Sequence, residues 1–367
     1  MAQTRVCPPH ALERFVREVF GAIGAPDDAA REAARHLVRA NLSGHDPHGV
    51  IRVPQYVSQA ETGELVPAAV PTILRETSVT ALIDARRSFG QFSTAFALDW
   101  AMGRAEQHGM ASAAVRHSAH IGRVGEYAER AAARGLVSIV TVGAAGPGVG
   151  GMLLFGGRGR FFGANPWSIG VPAEDGTLML LDASSSAVAE GKVRVARAAG
   201  VPLPPGSIMD REGAPTTDAD EFYAGGALVP LGGEAAGHKG YGLALASALI
   251  GGLAMIGDPD YTLIGASVVQ ATGDRTGQIA GVFLVVIDPS SFGDAAHFRA
   301  MVGATPAAAK RMPPGPGVEE VLVPGEPESR ARERRGREGI ALPEATWEEL
   351  EAVGTGLGVT PPEHRPA

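Results

Sequence analysis

Apolar residues recur at helical spacing near the start of the chain. Leu12, Phe15, Val16, Val19, Phe20 and Ile23 fall on one stripe and predict an amphipathic helix from His10 onward. Pro26-Asp27-Asp28 reads as the start of a second helix, with Ala30, Ala33, Ala34, Leu37 and Val38 on one side and Gly44 as its stop. A Pro-rich stretch over 66–71 closes this part, and the period then changes. Residues 79–83 read as a strand, 93–108 as a helix ended by Gly109, and 111–115 as a strand. Next come a helix over 124–134, stopped by Gly135, and a buried strand over 136–142. Strand–helix–strand spacing this short predicts an α/β layer architecture. Further strands are expected at 178–181 and 281–287, with a long loop of turn residues over 200–220. The dense charge run over 328–338 reads as a solvated helix face.

One stretch tests a membrane reading. Eighteen uncharged residues, 240–257, separate Lys239 from Asp258, close to the length of a bilayer span. Five are Gly, four are Ala, and no second such segment exists, so a buried helix is the expectation. The 367 residues suffice for about two domains and a sizeable core. The single cysteine, Cys7, excludes a disulfide framework and a thiolate zinc cluster. The first residues lack the basic-then-apolar pattern of a signal peptide, so a cytoplasmic protein is expected. A net charge of −8 without a basic stripe argues against nucleic acid as a partner. Of 32 basic residues only Lys192, Lys239 and Lys310 are lysines, a hint that a retained Lys is there for its point charge.

Gly146-Pro-Gly148-Val-Gly-Gly151 fits G-x-G-x-x-G after an apolar strand. Residues 152–160 are too Gly-rich for the helix that must receive a pyrophosphate, so the segment reads as a glycine-rich loop and not a Rossmann turn. His45/His48 and His117/His120 each place two imidazoles three positions apart, a spacing that would put both on one helix face as metal ligands. Each pair sits beside Gly or Pro, and no further cluster completes a tetrahedral set. His48 is followed by Arg52 and Tyr56 at i+4 steps, in a segment interrupted by Pro54. An imidazole suits proton transfer and a guanidinium fork suits a carboxylate; the alternative is a structural histidine. Asp182 ends an apolar strand, placed either to orient an imidazole or to cap a turn. Gly237-His-Lys-Gly-Tyr-Gly242 opens the apolar helix, reading either as an anion seat for a phosphate-bearing cofactor or as a plain Gly-rich turn.

These segments, in this order, resemble the malate/L-lactate dehydrogenase family, the sulfolactate-dehydrogenase-like oxidoreductases without a Rossmann domain. The likeness runs through His48-Gly-Val-Ile-Arg52-Val-Pro-Gln-Tyr56, Ser118-Ala-His120-Ile-Gly122, Gly163-Ala-Asn165-Pro166 and Leu181-Asp182-Ala-Ser184. It continues in Glu190-Gly-Lys192, Gly237-His238-Lys239-Gly-Tyr-Gly242, Val323-Pro-Gly325-Glu326 and Glu338-Gly-Ile-Ala-Leu-Pro343. The resemblance implies reversible hydride transfer between NAD or NADP and a 2-oxo/2-hydroxy acid or a cyclic 2-imino acid. It implies an α/β fold: a non-Rossmann mixed-sheet cofactor-binding domain over 76–304, plus a helical domain formed by both chain ends, 1–75 and 305–367.

By the same resemblance His48 is the proton donor and acceptor, His120 a second catalytic candidate, and Asp182 the residue that orients His48. Arg52 and Tyr56 would bind the substrate, a small carboxylic acid. Asn165, Ala183, Ser184, Ser185, Ser186, His238, Lys239, Gly325 and Glu326 would contact the cofactor. A homodimer is implied, with the partner completing the cleft; charge and the 240–257 stretch leave neither nucleic acid nor membrane as an expected partner. Two departures stand out. Pro47 replaces the family's usual Ser before the histidine, and Gly143 stands where members commonly carry Asn. Both are expected near the pocket, pointing to an unusual substrate or to a relative that binds nucleotide or acid without turnover. A His-based metallohydrolase is the remaining alternative.

Overall fold

A computed structural model describes residues 4–174, 178–258 and 281–366. The first apolar stripe forms α1 (Pro9–Ala22) and the second α2 (Asp27–Leu42), packed against each other. Leu12, Phe15, Val16, Val19 and Phe20 meet Ala30, Ala33, Ala34 and Leu37 in one buried cluster, which Ile340, Leu342, Trp347 and Leu350 close from the other chain end. The sequence pattern did not predict β1 (Thr4–Cys7), because four residues ahead of two prolines carry too little alternation.

Among the described residues the central sheet has seven strands: β2 (Thr72–Glu76), β3 (Thr80–Asp84), β4 (Met110–Arg116), β5 (Val137–Gly143), β6 (Trp167–Pro172), β7 (Leu178–Ala183) and β11 (Gly281–Ile287). Three two-residue strands, β8 (Ile208–Met209), β9 (Pro215–Thr216) and β10 (Ala227–Leu228), form a small separate sheet inside and after the expected 200–220 loop. In the large sheet the order is β2-β3-β4-β11-β5-β6-β7, and only β3 and β4 run parallel, so the sheet is mixed. Helices α4 (Gly90–His108) and α5 (Gly125–Ala133) cover it, burying Ala97, Leu98, Ala101, Tyr127 and Ala131 on Val115, Val140 and Leu284. Helices α6 (Glu190–Ala199) and α7 (Ala219–Tyr223) pack together beside β8. At the chain end, β12 (Ile340–Pro343) and β13 (Arg365–Pro366) flank β1, both antiparallel to it.

The uncharged stretch forms most of a helix, α8 (Gly233–Gly251), continued by a 3-10 turn over Gly252–Met255. Only one side is buried, which departs from the expectation of burial all round. Gly237, Gly240, Ala244, Ser247, Ala248 and Gly251 face the protein, while Leu243, Leu249 and Leu253 are exposed. Small residues let backbones meet: a Cβ on Gly281 would lie 1.8 Å from the Gly251 carbonyl oxygen. A Cβ on Gly143 would lie 2.4 Å from the backbone of Ser247 and Ala248. Gly143 is therefore explained by helix-on-sheet packing, correcting the expectation that it marks altered chemistry. Helix α9 (Ala295–Lys310) lies against β6 and β7. Among the described residues, no helix is long and apolar enough to cross a membrane.

Candidate active site

The turn after α2 is built around Asn41. Its amide donates to Asp46 Oδ1 at 2.7 Å and accepts from the Val50 amide at 2.9 Å. A Cβ on Gly49 would lie 2.2 Å from the same amide, so only glycine fits beside it. Two 3-10 turns result, Asp46–His48 and Val50–Arg52, leading into α3 (Val53–Glu61). Pro54 does not interrupt this segment, because it lies in the first turn of α3, where the missing N–H has no intrahelical partner to lose. Pro47 packs against α6: a Cβ on Gly191 would lie 2.2 Å from the proline ring.

The two histidine pairs do not act as pairs. His45 bonds Glu328 at 3.2 Å, and His117 lies between Asp84 at 3.1 Å and Asp258 at 2.7 Å. One member of each pair meets the other: His48 Nδ1 and His120 Nε2 are 3.2 Å apart, with the rings stacked at an interplanar angle of 16°. The loop after β4 brings His120 there, and Gly90 at the start of α4 allows it, since a Cβ would lie 2.3 Å from the Ala119 carbonyl oxygen. Tyr56 Oη is 2.7 Å from His120 Nδ1, and the Gln91 amide donates to Tyr56 Oη at 2.7 Å. Arg52 Nε donates to the Pro47 carbonyl at 2.7 Å and Nη1 to Gln55 at 2.8 Å, leaving Nη2 for a ligand. No group of three or more His, Cys, Asp or Glu suited to a metal occurs among the described residues.

Burial dominates the electrostatics. The His48 ring is partly open to solvent, yet burial, then Arg52, His45 and Arg123, lower its pKa to about 3. His120 is held well below the ordinary histidine value, first by burial and then by His48, Arg52 and His36. Burial pushes the Tyr56 phenol up to about 12, so it stays protonated. The site is thus a neutral imidazole pair beside a guanidinium.

Asp182 is not where the resemblance placed it. Its Oδ2 accepts from the Gly125 amide at 3.0 Å and lies 3.2 Å from Arg123 Nε, while His48 has His120 as its partner. Arg123 also bonds Glu129 at 2.8 Å and Ser43 at 3.1 Å, joining β7 to α5 and to the end of α2. Asn165 likewise directs its amide inward, to Ala144 at 3.1 Å and the Ala244 carbonyl at 2.8 Å, tying the 163–166 loop to α8. Its φ of 40° is one that Asn tolerates.

The other expected cofactor residues gather at one end of the sheet. Ser185 is buried with Oγ on the Asn165 carbonyl at 2.6 Å, and Ser184 and Ser186 share a hydroxyl contact of 2.9 Å just beyond Ala183. Leu231 donates its amide to Ser185, which places the start of α8, with exposed His238 and Lys239, beside them. The Leu180 amide reaches the Pro324 carbonyl at 3.2 Å and brings Gly325 alongside β7. Glu326 faces Lys310 at 2.6 Å. Exposed imidazole and ammonium groups next to serine hydroxyls are a donor set that fits phosphates.

The spacing of His48, Arg52 and Tyr56 was readable in the sequence. Gln91, Arg123 and Arg335, which bonds Asp46, were not, because their partners lie tens to hundreds of positions away, and Asn41, although it acts within its own turn, belongs to no periodic pattern.

The sequence profile described as malate/L-lactate dehydrogenase matches residues 7–351. Hydroxycarboxylate dehydrogenase B of Escherichia coli O157:H7 is 35% identical over 92% of this chain and 91% of its own. A Delta(1)-pyrroline-2-carboxylate reductase of Ancylobacter novellus is 31% identical over 92% of this chain and 94% of its own. The solved structure of malate dehydrogenase from Pyrococcus horikoshii OT3 superposes with a TM-score of 0.86 at 29% identity, covering 98% of this chain and 97% of that one.

Proposed function

The chain belongs to the malate/L-lactate dehydrogenase family, and from that premise we propose that it reduces a 2-oxo acid or cyclic 2-imino acid, reversibly, at His48. It is an oxidoreductase acting with NAD or NADP on hydroxy or imino acids. The observation that carries the assignment to His48 is the stacked His48–His120 pair, in hydrogen-bond contact and held neutral beside Arg52. Pro47 and Gly143 gave reason to consider a relative without turnover. Gly143 is accounted for by its packing against α8, the Pro47 ring packs on Gly191 of α6, and the histidine pair is intact.

The cofactor supplies or accepts the hydride when bound. Ser184, Ser186, His238 and Lys239 would hold its phosphates. Arg52 would receive the substrate carboxylate on Nη2, and on Nη1 once Gln55 yields. The heteroatom of the C=O or C=N then lies toward His48 Nε2, which no described residue engages. A carboxylate on Arg52 offsets one of the charges that keep His48 neutral, so substrate binding raises the proton affinity of the imidazole.

The division into 1–75 with 305–367, and 76–304, is part of this reading. It is supported by the apolar cluster that joins Leu12 and Phe15 to Ile340 and Trp347. So are a cytoplasmic location and a homodimer, the homodimer supported by the exposed Leu243, Leu249 and Leu253 along α8 and the turn after it. The test is oxidation of NADH and NADPH, followed by absorbance, against a panel of 2-oxo acids and cyclic imino acids. Turnover of one member is expected; silence across the panel with cofactor binding intact would overturn the proposal.

A further inference from the structure

Gln91 lies in the first turn of α4, wholly buried, and sequence reasoning gave it no role. Its side chain ends a line of hydrogen bonds that starts at the substrate side of His48. Gln91 Nε2 donates to Tyr56 Oη at 2.7 Å, Tyr56 Oη is 2.7 Å from His120 Nδ1, and His120 Nε2 is 3.2 Å from His48 Nδ1. Gln91 Oε1 is buried with no hydrogen-bond partner.

Counting hydrogens gives this line a direction. Tyr56 has one hydrogen and accepts from Gln91, so it donates to His120 Nδ1. A neutral His120 then carries its proton on Nε2 and donates it to His48 Nδ1. A neutral His48 therefore carries its proton on Nε2, the nitrogen left for substrate. In this sense of the line His48 offers an N–H to an oxo or imino heteroatom. Turning the amide of Gln91 by half a turn presents the unpartnered Oε1 to Tyr56 and reverses every bond. His48 then carries its proton on Nδ1 and shows a lone pair on Nε2, as the oxidation of a hydroxy acid requires.

We propose that Gln91 is a positioning residue that sets, through Tyr56 and His120, which nitrogen of His48 carries the proton, its amide ending the line in either sense. This deepens the assignment of proton transfer to His48 and rests on it. An amide serves both senses, whereas an ionised carboxylate only accepts and an apolar side chain does neither. The protonated phenol of Tyr56 and the neutral ring of His120 are what a line of single hydrogens needs. The charged and titratable groups bearing on the two rings are Arg52, His45, Arg123 and His36.

The test reads 15N chemical shifts of the histidine side chains in the free protein, which report the tautomer without any turnover. In the unsubstituted protein His48 and His120 should both be protonated on Nε2. In Gln91→Glu, at pH values where the carboxylate is ionised and only accepts, both should move to Nδ1. Gln91→Met, close in volume, leaves Tyr56 no acceptor but His120, so the free-protein tautomer and the cofactor KM should stay while kcat for oxidation of the hydroxy acid, which needs the reversed line, falls about tenfold. Tautomers unchanged in Gln91→Glu across the pH range in which the protein stays folded would overturn the proposal. So would Nδ1 protonation of either ring in the unsubstituted protein, or a folded Gln91→Met with normal kcat and pH profile. Because the spectra need no substrate, a silent substrate panel and a failed tautomer switch remain separate results.

Discussion

At the scale of single residues, the site is a division of labour between a proton carrier and an anion clamp. His48→Ala should abolish turnover while cofactor affinity, read by fluorescence titration, stays nearly unchanged. Equal loss of both would remove His48 from the chemistry. Arg52→Lys should raise the Michaelis constant for the acid about tenfold or more with a smaller effect on kcat, because an ammonium cannot hold both carboxylate oxygens while bonding the Pro47 carbonyl. An unchanged constant would take Arg52 out of the site. Spacing made His48, Arg52 and Tyr56 visible in the sequence, since i+4 neighbours share a face whatever the rest of the fold does. Asp182 illustrates the opposite case. Its strand-end position was readable, but its partner, Arg123, lies 59 positions away and is reached only through the sheet.

Elements decide what those residues can hold. Helix α10 (Glu326–Glu338) reads in sequence as a solvated charge run, and it is a helix with no buried residue, but two of its half-exposed arginines also reach the turn and α5. Arg335 grips Asp46 with two bonds of 2.6 and 3.0 Å and also reaches the Asn41 carbonyl, while Arg332 bonds Glu129 at 2.6 Å. This helix thereby fixes the turn that carries His48. Arg335→Met should lower kcat/KM about tenfold, with cofactor affinity kept, because the turn loses a bidentate anchor. Steady-state kinetics with wild-type values would contradict this. Gly143→Asn, which restores the residue common in the family, should destabilise the fold by about 3 kcal/mol or more, since α8 must lift off β5. Thermal melting checks it, and a stable variant would mean that α8 can shift.

For the whole molecule the buried histidines set acid sensitivity. His36, His48 and His120 all lie below the ordinary value of 6.5, chiefly through burial. A depressed pKa means that the unfolded chain binds the proton first. The contribution is fully present above the unfolded value and is lost as pH falls below it. For the wholly buried His36 the loss is about 1.4 kcal/mol for each pH unit under 6.5. The melting temperature should therefore drop steadily as pH falls below 6.5, and His36→Leu should flatten that slope. The same slope in the variant would remove His36 from the account.

The helical stripes, the strand periods, the sheet's approximate membership and the family likeness were all determined by the sequence alone, because each rests on local periodicity or on short motifs. Pairing of the two chain ends was legible only through that likeness. Tertiary structure decided which histidines meet, that Gly143 answers to packing, and that Gln91 and Arg335 stand behind the reactive ring. Those outcomes depend on close approach between segments far apart in the chain. A glycine that admits a backbone, or an arginine that spans two elements, leaves no period in the sequence to read.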